Sequence, residues 1–142
     1  MAEKLDTITT SNRGVSRVTS SDFMTNFNRH PETDQLVRLT NSEAVKRSVR
    51  NLILTKRGER MFQPSVGSDI DRILFEPMTE QTAIVLEQFI REVIKKYEPR
   101  VIELQVYVQA DDFNNSYAVS IVFNIINNSN PIAINLNLSR VR

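Results

Sequence analysis

The 142-residue chain carries 18 Lys and Arg against 17 Asp and Glu, a formal net charge of +1, with 40% hydrophobic and 25% charged residues. A chain of this length is expected to form one domain and to bury roughly two-thirds of the surface it exposes when unfolded, so a core needs no covalent staples. The near-balance of charge gives no global attraction to nucleic acid or to anionic membrane, and neither is expected as a partner. The absence of cysteine excludes disulfides, thiolate nucleophiles, iron–sulfur clusters and cysteine zinc sites. His30 is the single histidine and stands beside Pro31 in a polar stretch, so it reads as a loop residue rather than a catalytic base. Catalytic, metal and cofactor sites are therefore all expected to be absent. No apolar run approaches the ~20 residues of a membrane span. Met1 to Ser20 lacks an apolar h-region, so no secretory signal is expected there.

Residues 1–22 are rich in Thr, Ser and Arg, and Leu5, Ile8, Val15 and Val18 follow no period. They read as an extended N-terminal arm that orders only against a partner, followed by a single domain over 23–142. Phe23–Phe27 and Gln35–Leu39 bracket the turn-forming His30–Asp34 and predict a short, irregular hairpin. Thr40-Asn41-Ser42-Glu43 fits a capping box. Val45, Val49, Leu52 and Ile53 then fall on one helical stripe, with Lys46, Arg47 and Arg50 opposite. That helix should stop near Thr55, ahead of Gly58. From Lys56 to Met78 the pattern is irregular but rich in apolar side chains, which predicts an ordered, packed loop with one helical turn at Asp69–Leu74. A second helix is expected over Thr79–Tyr97, with Leu86, Ile90, Val93 and Tyr97 as its stripe and Ala83, Phe89 and Ile94 widening it. Pro99 disfavours helical geometry at Glu98 and ends it.

The rest of the chain alternates with period two. Ile102, Leu104, Val106, Val108 and Ala110 share one face of a strand; Tyr117, Val119, Ile121, Phe123 and Ile125 follow in a second; Ile132, Ile134, Leu136 and Leu138 make a third. Asp111–Asn115 and Asn127–Pro131 have turn composition. The fold class is α+β, with two helices packed on one face of a C-terminal three- to four-stranded antiparallel meander. Its Asn-rich last strand would keep backbone groups free for pairing with another chain.

Few constellations point to chemistry. Lys46, Arg47, Arg50, Lys56, Arg57 and Arg60 cluster, but Glu43 and Glu59 interrupt them and no aromatic residues interleave, which favours a solvated or protein-docking face over nucleic-acid binding. Carboxylate pairs such as Glu59 with Glu98, or Asp69 with Asp71, would serve a glycosidase only at a set separation that spacing does not supply. Gly67-Ser68-Asp69 lacks the remaining glycines and the lysine of a phosphate loop. Glu98-Pro99-Arg100 stands apart, because it occupies a helix-to-strand junction where proline sets the exit and projects an acid and a base from one corner. It reads either as a docking corner or as an internal salt bridge.

Thr55-Lys56-Arg57-Gly58-Glu59-Arg60-Met61-Phe62-Gln63-Pro64, then Gly67-Ser68, then Leu74-Phe75-Glu76-Pro77, then Tyr97-Glu98-Pro99-Arg100-Val101 resemble, in order, the small wedge protein family of contractile-tail baseplates. That family includes the T-even phage baseplate wedge component and the TssE subunit of type VI secretion baseplates. The resemblance spans roughly residues 40–140. It implies a structural, non-enzymatic protein of the virion tail baseplate, assembled in the host cytoplasm, whose partners are other baseplate wedge proteins. It also implies that the domain helps to initiate sheath assembly, with tail sheath subunits adding strands to it. By the same resemblance Glu98, Pro99 and Arg100 carry the glutamate–proline–arginine signature that contacts other wedge proteins. The alternatives are a TssE-like subunit of a secretion baseplate and a lysozyme-like, peptidoglycan-cleaving glycosidase of the tail. The chain departs from the family at Met61, where proline is common, and over its first 35 or so residues, which lie outside the shared pattern.

Overall fold

The computed structural model describes residues 20–24, 26–111, 113–126 and 128–139. Most of the arm expected over 1–22 lies outside these residues. Its last two members are strand rather than arm: Ser21–Phe23 forms β1 and pairs antiparallel with β2, Arg38–Thr40, in the register Ser21 with Thr40 and Phe23 with Arg38. Between them the expected hairpin closes through a bridge from Arg29 to Leu36, with the His30 amide donating to the Gln35 carbonyl at 2.7 Å. His30 is exposed at the turn, where its Nδ1 accepts from the Glu32 amide at 3.3 Å.

Helix α1 spans Ser42–Leu54 and buries Ala44, Val45, Val49, Leu52 and Ile53, the stripe read from the sequence. The capping box does not form. Thr40 belongs to β2, the N-cap is Asn41 at φ 50°, and its side chain makes no capping bond. The Asn41 amide instead donates to the Ser20 carbonyl at 2.8 Å, so strand pairing sets the entry to the helix. At the other end Thr55 turns to extended geometry, and its hydroxyl and amide both return to the Asn51 carbonyl. The stop is thus made by Thr55, three residues before Gly58.

The loop after α1 is ordered, with a short helix α2 at Ile70–Leu74. Ile70 and Leu74 enter the core with Ile73 and Met78 packed against it, whereas Met61 and Phe62 stand in solvent and Phe75 is half exposed, so the packing expected along the whole loop is confined to its second half. Helix α3, Glu80–Tyr97, is capped by the Thr79 hydroxyl, which accepts from the Thr82 amide at 3.2 Å. Glu80 in the first turn and Lys95 and Lys96 in the last complement the helix dipole. Leu86, Ile90, Val93 and Ile94 form its buried face.

Three strands, β3 (Val101–Asp111), β4 (Ser116–Ile125) and β5 (Asn128–Ser139), pair antiparallel in the order β3-β4-β5. The meander therefore has three strands. Its inner face, led by Val106, Ile121, Phe123, Ile134 and Leu136, packs beneath α1 and α3 in one core. The last connector is tighter than expected, because β5 already begins at Asn128. The alternation read for β3 also fails at its start. Glu103 adopts φ 50°, and the register shifts by one between Ile102 and Gln105, a β-bulge. Val101 then turns inward against the core while Ile102 is 41% exposed.

Two truncations separate these positions. Phe123→Ala, at a site with 0% exposure, should lower unfolding free energy in urea by about 3–5 kcal/mol. Ile102→Ala should stay within about 0.5 kcal/mol of wild type. A large loss at Ile102 would mean that the bulge is absent and the unbroken alternation holds.

Candidate functional site

The Glu98–Pro99–Arg100 corner is built by three elements. α3 closes at Tyr97, the Glu98 amide donates to the Ile94 carbonyl at 2.9 Å, and the Val101 amide returns to the Glu98 carbonyl at 3.1 Å. Pro99 occupies the second position of that four-residue turn, where its fixed φ fits. Across the sheet the Ile126 amide donates to the Arg100 carbonyl at 3.2 Å, which ties the corner to the end of β4.

The turn folds Arg100 back onto Glu98. Arg100 Nε donates to Glu98 Oε1 at 2.5 Å and Nη2 to Oε2 at 2.7 Å, a two-pronged pair. Oε2 also accepts from the Ser48 hydroxyl of α1 at 2.7 Å. Glu98 is only 3% exposed, whereas Pro99 is exposed and the Arg100 side chain is 41% exposed. Burial pushes the Glu98 carboxyl up, but the hydrogen bonds from Arg100 and Ser48, together with the Arg100 charge, outweigh it and hold the group below its ordinary value. Arg100 is raised in turn, mainly by its bond to Glu98 and further by the charge of Asp22. Asp22 also lies 3.6 Å from Arg47 Nε, so charges of alternating sign run from the hairpin across α1 to the corner.

The structure thus brings Glu98 and Arg100 together and separates their tasks. Glu98 holds the fork in place, and Pro99 and Arg100 face solvent. Ser48 was not foreseen, since a serine beside an apolar stripe gives no sign of a partner fifty positions away.

The other candidates disperse. Among the six clustered cations, Arg47 faces Asp22, Lys56 Nζ lies 2.7 Å from Asp71 and Arg57 lies 3.2 Å from Asp69. The carboxylates considered for hydrolysis are engaged as well. Asp69 and Asp71 are in those ion pairs, Glu59 accepts from the Lys56 amide at 2.9 Å, and Glu98 is held ionised, the opposite of what a general acid needs. Among the described residues no group of three or more His, Cys, Asp or Glu side chains is placed to hold a metal ion.

Fold and corner together define a small α+β domain with an ion-paired helix-to-strand corner. The chain belongs to the gp25 family of baseplate wedge proteins: the family model described as baseplate wedge protein gp25 matches residues 40–130, from the end of β2 into β5, and includes the corner. It is 36% identical over 89 residues to the baseplate wedge protein gp25 of Enterobacteria phage T4, covering 63% of this chain and 67% of that protein. Three solved structures share the fold. A putative tail lysozyme from Geobacter sulfurreducens has a TM-score of 0.66 at 21% identity over 73% of this chain and 96% of its own. A chain of the anti-feeding prophage baseplate scores 0.58 at 23% identity over 87% of each. A chain of the type VI secretion baseplate complex scores 0.52 at 18% identity over 67% of this chain and 91% of its own.

Removing either partner of the corner should be unequal in effect. Arg100→Ala strands a buried carboxylate with Ser48 alone and should cost about 2 kcal/mol at neutral pH, below the ~3–5 kcal/mol of a fully buried pair because water reaches the guanidinium. Glu98→Gln keeps the Ser48 contact and frees a cation into solvent, and should cost about 1 kcal/mol. Because the Glu98 carboxyl is held low, its contribution is present above the ordinary carboxylate value and is lost as pH falls through the lowered one. The Arg100→Ala deficit in denaturant titrations should therefore shrink in acid; a deficit independent of pH would contradict the pairing.

Proposed function

We propose that this chain is a structural, non-enzymatic component of a contractile-tail baseplate wedge, in the tail of a phage virion. The observation that carries the reading is the family match over residues 40–130, which holds both the corner and the helices that build it. The T4 relative, itself a baseplate wedge protein, favours a phage tail, whereas the anti-feeding prophage and type VI structures share the fold at 23% identity or less. The engaged state of the candidate carboxylates supports a contact role over hydrolysis.

Docking falls to the corner. Pro99 and Arg100 meet other wedge proteins directly, and Glu98 holds the guanidinium in one orientation, so that less freedom is lost on binding. β5 supplies a second surface. It is a twelve-residue edge strand that pairs only with β4 among the described residues, and Asn135 and Asn137 face outward from it. Its open edge suits strand addition by the first tail sheath subunits, with backbone bonds setting register.

The test is co-expression with the baseplate proteins encoded beside this chain. The comparison is wild type against Glu98→Gln/Arg100→Gln, a double change that leaves no unpaired charge. Wild type should capture wedge proteins, and the double variant should bind at least about 10-fold more weakly with a cooperative melt retained. Equal capture by both would make the corner an internal salt bridge. Failure of folded wild type to capture any of them would reject the baseplate assignment.

A further inference from the structure

The loop between α1 and α2 is held by several backbone contacts at its base, while the side chains of its tip stand exposed. Gly67, at φ 140°, brings its backbone so close to the carbonyls of Thr55 and Lys56 that an added Cβ would stand 2.8 Å from each oxygen. There Lys56 and Ser68 form a parallel bridge, and the Ser68 amide donates to the Thr55 carbonyl at 2.8 Å. A second rung, from the Gly58 amide to the Pro64 carbonyl at 2.8 Å, closes the upper part of the loop. Beyond that rung lie Met61 and Phe62, adjacent large apolar residues that are 91% and 98% exposed.

Two further observations say what such a tip meets. The cations at the base are matched, Lys56 by Asp71 and Arg57 by Asp69, while Arg60, next to Met61, has no ion pair among the described residues. The tip therefore presents an apolar pair beside an exposed guanidinium that is held in no internal ion pair among those residues. In addition, the Tyr97 hydroxyl donates to the Ser65 carbonyl at 2.5 Å, which fastens the loop to the last residue of α3, directly before Glu98. Loop and corner are thus one continuous construction.

We infer that residues 56–68 form a rigid hook, and that Met61 and Phe62 insert into an apolar pocket, edged by a carboxylate for Arg60, on the same baseplate wedge partner that the corner engages. This rests on the docking role proposed above for the corner. Adjacent hydrophobic side chains held rigidly in water are poised to be desolvated by a partner, and their fixed backbone limits the ordering cost of doing so. Phe62 is the anchor, and Arg60 orients it.

The sequence makes the test clean, because the chain has no cysteine. Met61→Cys places its single thiol at the tip, and Phe113→Cys, at a fully exposed turn residue, serves as the control. Alkylation of each by a maleimide, read by mass on this chain, is compared for the free protein and for the wedge complex reconstituted from co-expressed baseplate proteins. The reaction at position 61 should slow at least about 10-fold in the complex, with position 113 unaffected. Phe62→Ser should weaken capture by at least about 30-fold while its melting temperature matches wild type. If wild type captures the wedge proteins, Phe62→Ser captures them equally and position 61 still reacts freely, the hook is overturned and the corner stands. If wild type captures none of them, the baseplate reading itself fails and the hook falls with it. Protection of position 61 by vesicles of phosphatidylcholine and phosphatidylglycerol, but not by the wedge complex, would make the tip a membrane element and also overturn the inference.

Discussion

A carboxylate placed in a protein interior must be met by donors, and the way Glu98 is met organises this domain. Its two oxygens take a two-pronged bond from Arg100 and a third from Ser48, so one side chain joins the end of α3, the middle of α1 and the entry to β3. Desolvation alone would raise its pKa, and the donors together with the Arg100 charge hold it below the ordinary carboxylate value. The angle at which the chain leaves α3 is therefore not free. If α1 shifted relative to α3, Ser48 would leave the carboxylate and an acceptor would be buried with too few partners.

The consequences run into the sheet. Just beyond the Arg100–Glu98 pair the backbone enters β3 with Val101 against the core. Glu103 adopts φ 50°, the register shifts by one between Ile102 and Gln105, and Val106 pairs with Ile121 on the inner face. Conformations of this kind cost of order 1–3 kcal/mol and persist where neighbours over-determine them. Here the neighbours are the Arg100 carbonyl, held by the Ile126 amide, and the paired strand beyond the bulge.

The exposed groups follow the same logic. Corner and loop are both held rigidly by internal bonds, yet they turn Pro99, Arg100, Met61 and Phe62 to solvent. The helical faces and the inner sheet, by contrast, satisfy themselves within one core. The docking role proposed for these groups fits this division, since a surface held in place loses less freedom when a partner covers it. The segment matched to the family, 40–130, contains both constructions.

Periodicity in the chain was enough to determine the α+β class, both long helices and the inner faces of β4 and β5, and turn composition marked the hairpin around His30–Asp34. Each follows from neighbours one to four positions apart, and hydrophobic burial rewards that spacing wherever the element packs. The motif run from Thr55 to Val101 was equally legible, and it named the family. Tertiary structure decided what local spacing does not encode. Thr40 joined β2 instead of a capping box because β1 offered it a strand, and Ile102 turned outward because a bulge one residue away shifted its face. Ser48 became a ligand of Glu98, and Met61 and Phe62 were left in water by a loop closed through Gly67. All four outcomes depend on groups distant in sequence, where the free energy of pairing a backbone amide or a buried carboxylate exceeds any preference of the local segment.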